Sequence, residues 1–209
     1  MRCVIISGSP DTDAEFIKKT VKTEDYIICA DRGYCFAKEA NIKPDLIIGD
    51  FDSCSDKIPN DGEVIRLFPE KDDSDTAHCV EVALNRKFDD IVILGAVGGR
   101  TDHTLANLSI LLYIANRGAN GVLLSESEKI VLLQKGKYSF SNLDGKTFSL
   151  FPFGCEKICV SYSGVKYMLN HQFIISETSS LGLSNVFTSD NSEIYIHEGN
   201  ALLIINSKI

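Results

Sequence analysis

Several features that mark particular classes of protein are missing from this chain of 209 residues. It has no dense block of Lys and Arg, and its formal net charge is −8, so the clustered cations that bind a nucleic-acid backbone are absent. No apolar run approaches the length of about 20 residues that spans a membrane, and the first apolar run is too short for a signal peptide. We therefore expect a cytoplasmic protein that binds neither nucleic acid nor membrane.

Two common nucleotide-binding motifs are also absent, and so is the C-x-x-C spacing of cysteines. Neither the Walker A pattern nor the dinucleotide pattern G-x-G-x-x-G occurs, which disfavours a P-loop or a Rossmann cofactor site. The seven cysteines show no C-x-x-C spacing. An odd number of cysteines without such spacing is typical of free thiols in a reducing compartment.

The pattern of apolar runs divides the chain into two parts. Hydrophobic residues make up 44% and charged residues 24% of the sequence, which is typical of a folded globular protein. Apolar strands alternate with helical segments up to residue 134, whereas short strands separated by turns follow from 135 to 209. The first pattern predicts an α/β domain with a mainly parallel sheet flanked by helices, and the second an antiparallel sandwich or barrel.

One stretch, residues 46–53, carries the strongest chemical signal of the first part. Its apolar start predicts a buried strand, and Asp50 and Asp52 follow where the backbone leaves the sheet. Alternate residues of an extended segment point the same way, so both carboxylates can face one divalent cation. Mg²⁺ binds such oxygens together with water and substrate phosphates. The alternative is a turn in which both side chains cap backbone amides.

Similar carboxylates recur after other predicted elements. Asp31 follows a strand-like apolar run directly, and Asp102 follows another after a short loop. Asp75 lies in the first turn of a helix, after residues that can already cap it. Because parallel strands end at one edge of a sheet, these carboxylates should gather there and repel each other unless cations are present. The sequence therefore predicts a Mg²⁺-dependent phosphate site.

A glycine pair and an arginine stand between a strand and a helix, just before Asp102. Gly98 and Gly99 allow the backbone to approach a ligand closely and to aim its amides at phosphate oxygens. Arg100 adds a guanidinium that can donate two hydrogen bonds to a phosphate. This order of residues favours a phosphate-binding loop.

Taken together, these segments resemble the thiamine pyrophosphokinase family. The matching residues span nearly the whole chain in the family's order, at positions 30–33, 44–45, 49–53, 70–75, 95–103, 105–107 and 184–185. The resemblance implies an ATP-binding catalytic α/β domain at residues 1–134 and a thiamine-binding β-sandwich at 135–209. It also implies a homodimer with active sites between subunits. The implied reaction transfers pyrophosphate from ATP to the thiamine hydroxyl and yields thiamine diphosphate and AMP.

The resemblance also implies roles for individual residues. The ligands of Mg²⁺ are expected to be Asp50, Asp52 and Asp75. The catalytic set consists of these three carboxylates with Asp102 and Arg100, and the hydroxyl proton is expected to pass to Asp75 or Asp102. The residues expected to contact ATP are Asp31, Lys71, Ser74, Gly98 and Gly99. Those expected to contact thiamine are Ser184 and Asn185.

Two departures from the family's pattern concern the thiamine ring. Many members place a tryptophan against thiamine, whereas this chain has none. Leu183 also stands where a small polar residue is common. We expect Phe187 or Tyr195 to contact the ring instead.

Two other functions are compatible with the same carboxylates. One is a metal-dependent pyrophosphatase or another nucleotide phosphotransferase, which needs the carboxylates but neither Ser184 nor Asn185. The other is a sensor that binds Mg·ATP without turnover. Thiamine dependence distinguishes both from the favoured function.

Overall fold

A computed structural model describes residues 1–51, 62–68 and 73–207 of the chain. The chain divides into two compact units, Met1–Glu126 and Ser127–Ile209. Within the described ranges, no helix combines the length and the apolar character that crossing a membrane requires.

The first unit is built on a parallel sheet with helices between its strands. The strands described are β1 (Arg2–Ile6), β2 (Tyr26–Ala30), β3 (Leu46–Gly49), β4 (Glu63–Arg66), β5 (Asp90–Leu94) and β6 (Asn120–Leu124). The helices described are α1 (Ala14–Thr20), α2 (Gly33–Glu39), α3 (Asp75–Asn85) and α4 (Thr101–Ala115). Each of these strands is parallel to its neighbours in the order β6-β5-β1-β2-β3-β4.

The strand order reverses next to β1. The chain adds β2, β3 and β4 on one side of β1 and then returns through α3 to place β5 on the other side. The connections that leave the carboxyl ends of β1 and β5 therefore run in opposite directions. In open α/β sheets, this reversal opens a crevice at which ligands bind.

The central strands β1, β2, β3 and β5 are mostly buried because both faces of this part of the sheet are covered. Ile5, Ile28, Ile47 and Ile93 have almost no exposed surface, as expected for parallel strands that read as continuous apolar runs. Helices α1 and α2 cover part of the sheet with Ile17 and other side chains of the same core cluster. The predicted α/β architecture is confirmed.

The second unit is an antiparallel sandwich. Its strands are β7 (Glu128–Leu133), β8 (Gly136–Phe140), β9 (Thr147–Pro152), β10 (Lys157–Ser163), β11 (Gln172–Ile175), β12 (Asn185–Val186), β13 (Ser192–Glu198) and β14 (Ala201–Asn206). One layer pairs in the order β12-β9-β14-β7 and the other in the order β11-β10-β13-β8. The core contains Phe148 and Phe187, whose ring centroids are 4.5 Å apart.

The sandwich prediction is therefore confirmed, although two short elements in it were not predicted. A 3₁₀-helical segment, Ser176–Gly182, follows β11, and the two-residue strand β12 pairs with β9. Both elements flank Ser184, which lies in the predicted thiamine segment.

The cysteines differ from the sequence-based expectation at one position. Free thiols occur at Cys3, Cys29, Cys79, Cys155 and Cys159. Cys35, in α2, is disulfide-bonded, so the expectation of free thiols throughout is wrong for this residue. Cys54 lies outside the described residues.

Candidate active site

A cavity of about 500 Å³ opens at the carboxyl edge of the parallel sheet. Its walls come from the connections after β1, β2 and β5 and from the starts of α3 and α4. The lining consists of residues 7–10, 30–32, 74–76 and 98–100 with Gly95, Ala96, His103 and Asn107. Two of these walls follow β1 and β5, so the cavity occupies the crevice where the strand order reverses.

The cavity brings together many of the predicted site residues. Those that line it are Asp31, Ser74, Asp75, Gly98, Gly99 and Arg100. Asp50 follows β3 and is half-buried, and neither Asp50 nor Asp102 is among the lining residues. Asp52 and Lys71 lie outside the described residues.

Asp31 enters the cavity through a tight turn at the end of β2. Its backbone adopts φ 44°, and its amide donates a hydrogen bond to the carbonyl of Ile48 at 2.8 Å. A Cβ atom on Gly49 would lie 2.9 Å from the Asp31 Cα. Only glycine therefore fits immediately before Asp50, and the ends of β2 and β3 are held in contact.

Phe51 lies between the two carboxylates of the central stretch and also has a positive φ, 65°. The Arg66 guanidinium is 5.0 Å from the centre of its ring, a distance at which a cation is attracted to an aromatic face. Residues other than glycine rarely adopt such backbone angles, and strained positions of this kind cluster at functional sites.

Ser74 and Asp75 reach the cavity because α3 begins there. Ser74 is the N-cap, and its hydroxyl oxygen accepts a hydrogen bond from the Ala77 amide at 3.2 Å. The hydroxyl proton of Ser74 is not used in that bond. Asp75 is the first helical residue, where the helix dipole favours a carboxylate. A buried bond of 2.8 Å between the Thr76 and Ser7 hydroxyls joins α3 to the end of β1.

Gly98 and Gly99 adopt φ values of 94° and 64° in the wall that follows β5. The Gly98 amide donates to the Thr104 hydroxyl at 3.3 Å, and the Gly99 amide donates to the Asp11 carboxylate at 2.8 Å. Both amides are thus used inside the protein. The contribution of the glycine pair to the cavity is the close approach of its backbone.

Arg100 and Asp102 form a bidentate ion pair at the start of α4. Arg100 donates from Nε and Nη2 to the two carboxylate oxygens at 3.1 and 2.6 Å. The Arg100 guanidinium lowers the pKa of Asp102 to about 2. Asp102 is therefore a weak base at neutral pH.

Arg32 and Asn107 line the cavity and Asp11 contacts its glycine wall, but none of the three was assigned a role from the sequence. Arg32 lines the cavity beside Asp31 and adds a second arginine to it. Asn107 is buried, and its amide donates to the Ala96 carbonyl at 2.8 Å, which fixes the wall after β5. Asp11 contacts the glycine pair from behind. Arg32 and Asn107 were inside matching segments, whereas nothing near Asp11 in the sequence indicates its contact.

In the second unit, Asn185 is a buried connector. Its side-chain oxygen accepts from the amides of Tyr167 and Val186 at 3.0 and 2.8 Å, and its side-chain nitrogen donates to the Tyr167 carbonyl at 2.8 Å. Asn185 is only 5% exposed. Its amide group thus holds the backbone of Tyr167, whose own ring is exposed. Ser184 has φ 58° and donates from its amide to the Ser149 hydroxyl.

The aromatic residues expected at the thiamine ring differ in their accessibility. Phe187 is fully buried in the sandwich core, so it is not available to a ligand. Tyr195 is partly exposed and lies 4.1 Å from the His197 ring centre. Tyr167, which was not predicted from the sequence, is 56% exposed, and its backbone amide donates a hydrogen bond to the Asn185 side chain.

The donor set of the cavity fits a magnesium ion that is shared with a substrate. Asp31 and Asp75 are the two carboxylate residues of the lining. Within the ranges that the structure describes, no group of three or more His, Cys, Asp or Glu side chains could hold a metal ion by itself. Mg²⁺ typically takes one or two carboxylates and completes its shell with water and phosphate oxygens.

The structure defines a two-unit protein whose α/β part contains a cavity lined by aspartates and arginines, and comparison with known proteins identifies its family. The family profile "Thiamin pyrophosphokinase, catalytic domain" matches residues 17–123. The profile "Thiamin pyrophosphokinase, vitamin B1 binding domain" matches residues 133–203.

Individual relatives agree with the profiles. Thiamine pyrophosphokinase from Bacillus subtilis is 26% identical over 206 residues, which cover 96% of both chains. Thiamin pyrophosphokinase 1 from Caenorhabditis elegans is 28% identical over 168 residues, covering 72% of this chain and 68% of the relative. The crystal structure of the Bacillus subtilis protein shares the fold, with a TM-score of 0.90 and 24% identity over 100% of both chains.

The chain belongs to the thiamin pyrophosphokinase family. Membership makes it a thiamine diphosphokinase, an enzyme that transfers pyrophosphate to thiamine.

Proposed function

We propose that the protein transfers pyrophosphate from ATP to the hydroxyl of thiamine in a Mg²⁺-dependent reaction that yields thiamine diphosphate and AMP. The observation that carries the proposal is the cavity at the reversal of strand order, which is lined by two arginines, two aspartates and a paired-glycine loop. That combination suits the polyphosphate of a nucleotide held together with a cation.

The arginines are suited to bind phosphate oxygens. Arg32 and Arg100 both line the cavity, and a guanidinium can donate two parallel hydrogen bonds to a phosphate. Arg100 is also the N-cap residue of α4, where the helix dipole adds positive potential. For Arg100 to engage phosphate fully, it must exchange its bonds to Asp102.

The carboxylates are suited to hold the cation. We assign this role to Asp75 and Asp31 at the lining and to Asp50 after β3, with Asp52 as a predicted further ligand. A bound Mg²⁺ supplies charge neutralisation at the phosphate oxygens. The carboxylates that hold the cation also set the distance between the polyphosphate and the sheet edge.

The acceptor hydroxyl must lose a proton during the transfer. Its oxygen attacks the β-phosphorus, the bond from that phosphorus to the bridging oxygen of the α-phosphate breaks, and AMP leaves with the electron pair. Asp75 is our candidate for the proton acceptor, because it lines the cavity whereas Asp102 does not.

For thiamine, we propose that Tyr167 supplies the aromatic contact that tryptophan makes in many members of the family. Its ring is exposed while its backbone is fixed on both sides by the Asn185 amide group. Asn185 then acts through Tyr167, and Ser184 remains the candidate for a direct polar contact. The homodimer and the cytoplasmic location stay predictions from the sequence.

The proposal is tested by chromatographic assay of thiamine diphosphate in mixtures that contain ATP, thiamine and Mg²⁺. Product should require all three components and should disappear when EDTA removes the metal. Asp75→Asn should reduce turnover by at least about 100-fold, the usual cost of losing a charge that stabilises a transition state. The matched control is Asp90→Asn, because Asp90 begins β5 at the amino end of the strand, whereas the cavity lies at the carboxyl edge of the sheet.

Two results would contradict the proposal. ATP breakdown that is independent of thiamine would favour a hydrolase, and ATP binding without turnover would favour a sensor. An Asp75→Asn protein that folds and keeps the wild-type rate would remove Asp75 from the catalytic set.

A further inference from the structure

The backbone of Gly98 and Gly99 needs contacts from other residues to hold it in one conformation. Gly98 and Gly99 both adopt left-handed backbone angles, and glycine has little conformational preference of its own. Arg100 follows them directly and lines the same cavity. The position of this arginine therefore depends on what holds the two glycines.

The restraint comes from the loop that follows β1. The Asp11 carboxylate accepts a hydrogen bond from the Gly99 amide at 2.8 Å, across 88 positions of sequence. A Cβ atom on Gly98 would lie 2.3 Å from the same carboxylate oxygen, and one on Gly99 would lie 2.6 Å from the Pro10 ring. Asp11 and Pro10 therefore pack against the glycine pair and leave no room for a side chain at either position.

This loop is itself anchored to the connection after β5. The Ser9 amide donates to the Gly95 carbonyl at 2.9 Å, and the Ser9 hydroxyl donates to the Val97 carbonyl at 2.9 Å. The Thr12 hydroxyl donates back to the Ser9 carbonyl at 2.6 Å. The Asp11 backbone is thus fixed between two anchored neighbours, so its carboxylate is held against the glycines.

Asp11 is not among the residues that line the cavity, whereas Gly98, Gly99 and Arg100 are. It therefore contacts the glycine wall without lining the cavity itself. We infer that Asp11 is a positioning residue for the ATP phosphates: it fixes the Gly98–Gly99 backbone and thereby orients Arg100 and the start of α4. This inference rests on the proposed use of ATP as the donor.

The test compares Asp11→Ala and Asp11→Asn with the same two substitutions at Asp13. Asp13 is an exposed carboxylate two residues away that caps α1 by accepting a hydrogen bond from the Glu15 amide. We expect Asp11→Ala to raise the KM for ATP about tenfold, the equivalent of one lost charge-assisted hydrogen bond. The KM for thiamine and the melting temperature should stay close to those of Asp13→Ala.

The conservative variant separates hydrogen bonding from charge. Asp11→Asn keeps a carbonyl oxygen that can accept from the Gly99 amide, so it should restore the KM for ATP to within about twofold of the wild type. Hydrogen exchange of the Gly99 amide in the free protein gives a readout independent of activity. It should accelerate in Asp11→Ala and remain slow in Asp11→Asn and in both Asp13 variants.

The outcomes distinguish this inference from the proposed function. Absence of ATP-dependent transfer in the wild type would overturn the proposed function and the inference with it. An active wild type with an unchanged or lower KM for ATP in Asp11→Ala would overturn the inference alone. A lower KM would mean that Asp11 competes with phosphate for the Gly99 amide.

Discussion

At the scale of single residues, Tyr162 presents a polar atom in an apolar environment. It lies in β10, packs edge-on against Phe148 with ring centroids 5.6 Å apart, and is 5% exposed. Its hydroxyl has no hydrogen-bond partner among the described residues. Burial raises the pKa of this hydroxyl, so it stays neutral, and the cost of its lost hydration is not offset by a bond.

Tyr162→Phe should therefore stabilise the protein by about 1 kcal/mol, because it removes a buried polar group that has lost its water. Tyr138→Phe is the matched control. The Tyr138 hydroxyl donates to the Gln134 carbonyl at 3.0 Å and accepts from the Gln134 amide at 3.1 Å, so its removal should destabilise by about 1 kcal/mol. Urea unfolding measures both changes, and a destabilised Tyr162→Phe would contradict the account of the core.

At the scale of elements, the short strand β12 connects the sandwich to an exposed aromatic ring. Asn185 begins the strand and bonds to both backbone groups of Tyr167, while the Lys166 amide donates to the Val186 carbonyl. A two-residue strand has little stability alone. The hydrogen bonds between β12 and residues 166–167 therefore stabilise both segments.

The hydrogen bonds between Asn185 and Tyr167 predict different effects for substitutions at the two residues. Tyr167→Ala should raise the KM for thiamine about tenfold and leave the KM for ATP and the melting temperature unchanged, because it removes only an exposed aromatic contact. Asn185→Ala should raise the KM for thiamine and also lower the unfolding free energy by about 2 kcal/mol, because it leaves buried backbone groups unpaired. Tyr167→Phe is the control that keeps the ring. A normal KM for thiamine in Tyr167→Ala would refute the role given to this residue.

Another connection between elements is an ion pair at the amino end of the sheet. Arg2 in β1 donates to both carboxylate oxygens of Asp25 at 2.8 and 2.6 Å, and the Lys22 amide donates to the same carboxylate. Burial alone would raise the pKa of Asp25, but the hydrogen bonds from Arg2 and Lys22 hold it below its usual value. A depressed carboxyl pKa stabilises the fold above the unfolded value, about 4, and this stabilisation is lost as the pH falls through the folded pKa.

Arg2→Met should therefore destabilise the protein by about 3 kcal/mol at pH 7, because it leaves the Asp25 carboxylate buried without its cation. The difference from the wild type should shrink as the pH falls toward 3, since the unpaired carboxyl of the variant takes up its proton at a higher pH. Lys137→Met breaks an exposed pair with Glu193 and should cost less than about 1 kcal/mol. Unfolding free energies at several pH values measure these effects, and a gap that widens in acid would contradict the assignment.

At the scale of the whole molecule, the sequence predicts the architecture well because each unit has its own periodicity. Buried parallel strands appear as continuous apolar runs, and the aspartate at the end of such a run, as with Asp31, marks the edge where the cavity lies. The sequence pattern also identifies Asp75, at the start of a helix, and the glycine pair, between a strand and a helix. Local patterns of this kind can be recognised in a single sequence because they depend only on neighbouring residues.

Contacts between distant residues leave no such pattern. The bond between Asp11 and Gly99 and the bonds between Asn185 and Tyr167 depend on how separate loops meet. The choice of Phe187 for the ring contact failed for a related reason, because an aromatic residue near a turn looks the same in sequence whether it is buried or exposed. The disulfide at Cys35 likewise has no local signature.

Direct transfer of pyrophosphate in one step can be followed by ³¹P NMR of the purified protein with ATP and Mg²⁺, with and without thiamine. If transfer is direct, AMP and thiamine diphosphate should appear together only when thiamine is present, and ADP should not accumulate. Accumulation of ADP with thiamine monophosphate would contradict direct transfer, because those products form when only the terminal phosphoryl group of ATP is transferred.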